Sequence, residues 1–357
     1  MSLSQEENKQ YNRHLILDEI GEKGQLKLKQ AKVLVIGAGG LGCPVLQYLT
    51  AAGVGAIGII DHDTIDQSNL QRQILYSYDT IGQFKAEVAA KKLSGLNPFV
   101  NFEIYIQKLT TEIAIELFSK YDIIVDGSDN FPTRYLVNDA AVLSGKPVVF
   151  GSIYKFEGQV SVFNFNNGPT YRCLYPNVPK SNEVPNCSEI GVLGVLPGII
   201  GTLQANEVLK LICRIGEPLS GKLLTYNALS MQQFILDFHK NDNSQIYELN
   251  ADYDVLCGLP KSNLEITLKE VKAFEDSYNL LDVREQYERN QHHVGGQHIP
   301  LGELKSRIDE VSQDKDLVVY CKAGMRSKMA IEIIKETGFE KQLFNLRGGI
   351  LNQSQTD

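Results

Sequence analysis

Cys321 ends the run DLVVY and opens CKAGMRS, ahead of the helical pattern MAIEIIKETGF. A cysteine at a strand-to-helix turn faces successive backbone N–H groups, which favour an anion there. Lys322 and Arg326 add positive charge, so the position favours a thiolate. A persulfide, negative on its outer sulfur, would be held in the same way. The rival chemistry is a phosphatase with a C-x5-R loop. Cys321 to Arg326 is C-x4-R, and the shorter loop favours sulfur over phosphate. A second candidate lies near the other end. Gly37, Gly39 and Gly42 fit G-x-G-x-x-G between a β-branched run and a helical pattern, and Asp61 ends the next such run. In this arrangement a helix N-terminus holds phosphate and the acid holds ribose hydroxyls. A tight turn with no ligand is the alternative.

The glycine pattern alone cannot separate a nicotinamide dinucleotide from ATP. The residues behind it can. Asp63, Asn69, Arg72 and Lys85 follow within two loops. A triphosphate carries about four negative charges, which fixed cations neutralise best. Asp126 and Asp129 end a later strand in DGSDN, where a carboxylate can hold Mg²⁺ against phosphates. Singly, Arg72 and Lys85 read as solvated charges and Asp129 as the N-cap of PTRYLVND; their order and place favour ATP.

These residues need a frame. Lys32 to Ile36, the glycine turn, the helix CPVLQYLTAAGVG and Ala56 to Asp61 form a βαβ unit. Helices over Gln83–Leu93, Thr111–Phe118 and Pro132–Ser144 alternate with strands over Asn101–Tyr105, Ile123–Val125 and Val148–Phe150. The alternation predicts an α/β fold: a Rossmann-like, mostly parallel sheet with helices on both faces. Beyond Gly151, Gly158–Asn166 and Gly221–Asn227 read as antiparallel or crossing strands and Gly201–Cys213 as a long helix. The polar stretch from Asp237 to Asn263 holds the linker. The division is a larger nucleotide-binding domain over 1–245, a linker over 246–263 and a small α/β domain over 264–357. In the latter, EITLKEVKAFED reads as a helix, LLDVRE as a buried strand and FNLRGGI as a closing strand.

The composition is ordinary for a globular chain of 357 residues, with 43% hydrophobic and 22% charged residues, so disorder and coiled coil are excluded. A net charge of -8 without a basic block argues against nucleic acid and anionic membranes. The apolar stretch from Ile190 to Leu203 is too short for a membrane helix. The N-terminus lacks the pattern of a signal peptide, and the six cysteines contain no C-x-x-C pair, so a reducing cytoplasm is expected.

GAGGLG, DHDTIDQSNLQRQ, IGQFKAE and DGSDNFPTRYLVND together resemble the MoeB/ThiF family of adenylating enzymes, over about Gln10 to Asn227. The resemblance implies ATP-dependent adenylation of the C-terminal carboxylate of a ubiquitin-like sulfur carrier ending in Gly-Gly. It puts Gly39, Gly40 and Gly42 under the nucleotide, and Asp61, with Asp63 beside it, at the ribose. It puts Asn69, Arg72 and Lys85 on phosphates, and Asp129, next to Asn130, on Mg²⁺. Arg13, in YNRHLIL, matches an arginine that reaches the partner subunit's site, which implies a homodimer. Cys187 matches a conjugating cysteine. The family's two zinc-binding C-x-x-C pairs are each reduced to one thiol, Cys173 and Cys257. With Asp254 these could offer three ligands, but loss of the zinc is the expectation.

From about Leu264 to Ile350 the chain resembles a rhodanese domain, with Cys321 as the persulfide carrier and Asp282 and Arg284 bracing its loop. The combined expectation is an adenylyltransferase fused to a sulfurtransferase. It would take sulfur from a persulfide donor such as a cysteine desulfurase and make a carrier thiocarboxylate for molybdopterin, thiamine or tRNA thiolation. The alternatives are a nicotinamide-dependent oxidoreductase and a non-catalytic module that binds a carrier protein.

Overall fold

The computed structural model describes residues 2–178, 191–241, 245–257 and 264–350. Its contacts divide the chain into two units, Met1–Tyr253 and Asp254–Asp357.

The first unit is built on eight strands: β1 (Lys32–Ile36), β2 (Ala56–Ile60), β3 (Asn101–Tyr105), β4 (Ile123–Asp126), β5 (Val148–Tyr154), β6 (Glu157–Phe163), β7 (Lys222–Asn227) and β8 (Gln232–Asp237). Their order is β3-β2-β1-β4-β5-β6-β7-β8. The first five run parallel and the last three antiparallel, as the change of pattern after Gly151 suggests. Strands β1, β2 and β4 are almost wholly buried. That is why they read as continuous β-branched runs rather than alternating ones. The order reverses at β1, between β2 and β4, so the crevice beyond their carboxyl ends is the place where such sheets bind ligands.

The long helix runs over Leu196–Cys213, one turn earlier than the sequence suggests, with Pro197 in its first turn. It crosses the sheet and the helix Gly42–Ala52 at close range. A Cβ on Gly201 would lie 2.5 Å from the Leu41 carbonyl oxygen, and one on Gly158 would lie 2.3 Å from Ile200. Strand β8, not predicted from the sequence, lies within the first domain just before the polar stretch expected to hold the linker. All six of its residues are exposed, so no burial pattern marks it.

The second unit holds a five-stranded parallel sheet. Its strands are β9 (Leu264–Ile266), β10 (Tyr278–Asp282), β11 (Gln297–His298), β12 (Asp316–Tyr320) and β13 (Leu343–Leu346), in the order β11-β10-β12-β13-β9. The expected helix EITLKEVKAFED is instead strand β9 followed by a helix over Leu268–Ala273, capped by Thr267 and Glu270. No helix among the described residues is long and apolar enough to cross a membrane.

Candidate functional site

The glycine turn between β1 and the helix Gly42–Ala52 cannot carry side chains at two points. Gly37 has φ +85°, and a Cβ on Gly42 would sit 1.9 Å from the Gly37 carbonyl oxygen. Asp61, buried at the end of β2, accepts from the Ala38 N–H at 2.7 Å and the Asp63 N–H at 2.8 Å. Burial pushes the Asp61 carboxyl up, and the Lys85 charge and the two backbone donors pull against it. Beneath the turn, the Tyr76 hydroxyl donates to the Ala38 carbonyl oxygen at 2.7 Å.

The loops behind β2 fold back over this turn. A Cβ on Gly40 would lie 3.8 Å from Arg72 Cγ, and one on Gly39 would lie 3.6 Å from Gln73 Nε2. Arg72 Nη1 donates to the Ser68 carbonyl oxygen at 3.0 Å, and Asn69 closes the short turn before it through the Asp66 N–H. Lys85 is buried to 5% exposure, with Nζ 2.9 Å from Asp63 Oδ2. Burial alone would raise the Asp63 carboxyl, but the Lys85 charge and hydrogen bond hold it below the usual carboxylate range. The loop after β4 closes the other side: a Cβ on Gly37 would meet the Gly127 carbonyl oxygen at 3.1 Å. So Gly39, Gly40, Gly42, Asp61, Asp63, Arg72 and Lys85 surround one turn, with the 126–130 loop beside it.

Asp129 is exposed, and among the described residues its one hydrogen-bond partner is the Asn130 amide nitrogen, 3.4 Å from Oδ1. The N-cap of the helix Phe131–Ser144 is Asn130, whose Oδ1 accepts from the Thr133 N–H at 3.0 Å; this corrects the alternative reading of Asp129 as the cap. Asp61, His62 and Asp63 bring three donor atoms within 4.8 Å of one another. Arg13 is exposed on the short helix Asn12–Leu15, and no hydrogen bond or ion pair among the described residues joins it to Asp61, Lys85 or Asp129. Cys187 lies outside the described residues.

Sequence reasoning missed several supports. Gln204, fully buried on the long helix, donates to the Asp126 and Val149 carbonyl oxygens at 2.8 and 3.2 Å. Nothing near it in sequence betrays that role. Cys173 Sγ accepts from the Thr170 and Asn241 N–H groups at 3.4 and 3.3 Å. Beside it, Asp139 takes two hydrogen bonds from Arg172, both at 2.7 Å, and one from the Tyr253 hydroxyl at 2.6 Å.

In the second unit Cys321 is buried at the end of β12, in a turn that leads to the helix Met325–Lys335. Its sulfur accepts from the Gly324 N–H at 3.1 Å and lies 3.3 Å from Ser327 Oγ. Ser327 Oγ in turn lies 2.6 Å from Asn345 Oδ1 on β13. Gly324 has φ +95°, the left-handed conformation that turns the chain around the sulfur. Gly349 lets the following turn approach, since a Cβ there would be 2.5 Å from the Cys321 carbonyl oxygen. Asp282 and Arg284, both buried, pair at 2.9 and 2.7 Å, and Arg284 also donates to the His292 carbonyl oxygen. Arg326 departs from expectation. It binds Glu288 through both terminal nitrogens, so its charge is matched by a carboxylate rather than left for the thiol.

The chain matches the ThiF family over residues 11–247 and the rhodanese-like domain over residues 267–355. It is 44% identical over 369 residues to the "probable adenylyltransferase/sulfurtransferase MoeZ" of Mycobacterium tuberculosis, covering 98% of this chain and 93% of the relative. It is 51% identical over 271 residues to the sulfur carrier protein adenylyltransferase of Thermus thermophilus, covering 72% of this chain and all of that one. To the adenylyltransferase and sulfurtransferase MOCS3 of Xenopus laevis it is 39% identical over 385 residues, covering 96% and 85%. The crystal structure of Escherichia coli MccB with ATP shares the fold, with a TM-score of 0.58 at 23% identity over 67% of this chain and 73% of that one.

Proposed function

Because the chain belongs to the ThiF family and carries a rhodanese-like domain behind it, we propose that it joins AMP to the C-terminal glycine of a ubiquitin-like sulfur carrier and then delivers sulfur to the activated carboxyl. Its relatives are named for both activities, and it is an adenylyltransferase with sulfurtransferase activity. The observation that carries the adenylation half is the convergence of Asp61, Asp63, Lys85 and Arg72 on one glycine turn. A hydride-transfer enzyme has no use for two cations there.

In this reading Asp61 holds the ribose hydroxyls, and the turn offers its N–H groups to phosphate. The carrier carboxylate attacks the α-phosphorus, and pyrophosphate leaves. Lys85 and Arg72 balance the charge that builds on the phosphate oxygens. Arg13 contributes from the partner subunit of a homodimer. Asp129, with its carboxylate exposed, suits a hard divalent ion. Mg²⁺ held there with Asn130 beside it would neutralise phosphate charge.

The sulfur half rests on the Cys321 turn. A persulfide donor such as a cysteine desulfurase loads Cys321. The outer persulfide sulfur attacks the acyl-adenylate carbonyl, and AMP leaves. A second thiol, for which Cys187 is the candidate, then bonds to Cys321 Sγ and displaces the thiocarboxylate, and the disulfide so formed is reduced by an external thiol before the next turnover. We further infer that the Arg172–Asp139–Tyr253 network ties together segments that zinc would otherwise join. Untagged protein should then hold well under one zinc per chain after dialysis, and a tightly held stoichiometric zinc would overturn this.

The test of the adenylation reading is ATP–pyrophosphate exchange with a carrier ending in Gly-Gly. Exchange should require the carrier, and Asp129→Ala should remove it while leaving the circular dichroism unchanged. Exchange at the wild-type rate in that variant would sink the assignment.

A further inference from the structure

Arg134 occupies a slot between aromatic rings, beside the buried Asp126 carboxyl, and its charge opposes the upward push of burial on that group. Its guanidinium lies between two rings, 5.7 Å from the centroid of Phe131 and 5.4 Å from that of Phe150. One terminal nitrogen donates to the Ser128 carbonyl oxygen at 3.2 Å, while its Nε is buried without a hydrogen-bond partner. An unpartnered buried donor costs stability. The same small cavity is lined by the Asp126 carboxylate, Asn138 and Tyr171.

The 126–130 loop is held from several directions. The Ser128 N–H and hydroxyl both donate to Asp126, at 2.9 and 2.6 Å. The Ser128 carbonyl oxygen is held by Arg134, the Asp126 carbonyl oxygen by Gln204, and the Asn130 side chain by the helix it caps. Asp129 stands in the middle of this clamp with an exposed carboxylate. Arg134 grips the peptide that leads directly into Asp129.

We propose that Arg134 is a positioning residue for adenylation. It fixes the Ser128 carbonyl so that the Asp129 carboxylate meets the divalent ion on ATP, without itself touching nucleotide or ion. The inference rests on the reading of Asp129 as the Mg²⁺ ligand. The two rings bracket the guanidinium, and its charge also opposes the effect of burial on Asp126, so a methionine or leucine could neither hold the Ser128 carbonyl nor supply that charge.

The test is ATP binding by calorimetry in the full chain, with Mg²⁺ titrated and, separately, with EDTA. In Arg134→Met, the Mg²⁺ concentration that gives half of the metal-dependent gain in affinity should rise about tenfold, as for other residues that orient a ligand. ATP affinity in EDTA should stay within about twofold, because the glycine turn, Asp61 and Lys85 are untouched. A folded Arg134→Met with a wild-type Mg²⁺ requirement overturns the proposal. So does an equal loss in EDTA, which would mean general distortion of the site. Should Arg134→Met fail to fold, Phe131→Leu decides. It removes one wall of the slot at a half-buried position and should shift the Mg²⁺ requirement in the same direction by less; no shift overturns the proposal. Asp129→Asn separates the two readings. If its Mg²⁺ requirement is unchanged, the assignment of Asp129 fails and takes this inference with it. If it loses the Mg²⁺ effect while Arg134→Met keeps it, this inference alone fails.

Discussion

Arg326, at the start of the helix that follows Cys321, forms a two-point ion pair with Glu288 at 2.6 and 2.7 Å. The hydrogen bonds from Arg326 hold the Glu288 carboxyl below the usual range against a smaller push from burial, with help from the Glu285 N–H and the Arg326 charge. The pair is close to neutral, so it adds little attraction for an anionic sulfur donor. Glu288→Gln should release the guanidinium, and the KM for thiosulfate in thiosulfate:cyanide sulfur transfer should fall several-fold with kcat little changed. An unchanged KM would mean that the pair only fastens the helix Gln286–Gln291 to the turn.

Cys321→Ala should abolish thiosulfate:cyanide transfer and thiocarboxylate formation from a persulfide donor. Carrier-dependent pyrophosphate exchange should persist, because the groups around the glycine turn all lie in the other unit. Sulfur transfer surviving in this variant would move the persulfide to Cys187. Exchange collapsing with it would mean that the two sites are not separable.

Arg13 should act across a dimer. Chains carrying Arg13→Ala and chains carrying Asp129→Ala should each be inactive in exchange. Mixed dimers should regain one working site of two, and about half of the exchanged dimers should be mixed if pairing is random. No recovery on mixing, with subunit exchange verified by mass spectrometry, would count against a role in trans.

The second unit should weaken in acid for a specific reason. Burial favours a neutral Asp282, yet the hydrogen bonds and charge of Arg284 keep its carboxyl below the ordinary range. Glu288 is held low as well. Unfolded, such groups titrate near ~3.9 and ~4.3. Their contribution is therefore fully present above about pH 5 and is lost as pH falls through the lower folded values. Amide exchange in β10 and β12 should be constant between pH 7 and pH 5.5 after correction for intrinsic rates, and protection should drop below about pH 4.5. Asp282→Asn should cost about 3–5 kcal/mol at neutral pH by leaving Arg284 buried without its partner. It should also flatten the acid slope, and an unchanged slope would remove Asp282 as its source.

Much of the nucleotide site is legible because its signals are local. Gly37, Gly39, Gly42 and Asp61 belong to one βαβ unit, whose geometry follows from its residue types. The salt bridge from Lys85 to Asp63 spans two loops and could be read only as an order of residues, not as a contact. Gln204 and Glu288 were invisible because each arrives from an element far along the chain. Strand β8 was missed because it is exposed on both faces; its pairing with β7, not its side-chain pattern, makes it a strand. The segment at Glu265 read as helix because ITLKEV carries a genuine capping box. The three residues before it became a strand only because β13 offered a partner.

That pairing of β9 with β13 has a consequence during synthesis. The first strand of the second unit leaves the ribosome with nothing to bind, and among the described strands its one neighbour in the sheet is β13, the last of them to be made. At about 5–20 residues per second, β9 waits on the order of ten seconds as an unpaired edge. Once Cys321 itself has been made, in the later part of that interval, its turn still lacks the Asn345 and Gly349 contacts that shape it. Until β13 is made and paired, the nascent thiol lacks the surroundings that set it apart from a plain cysteine.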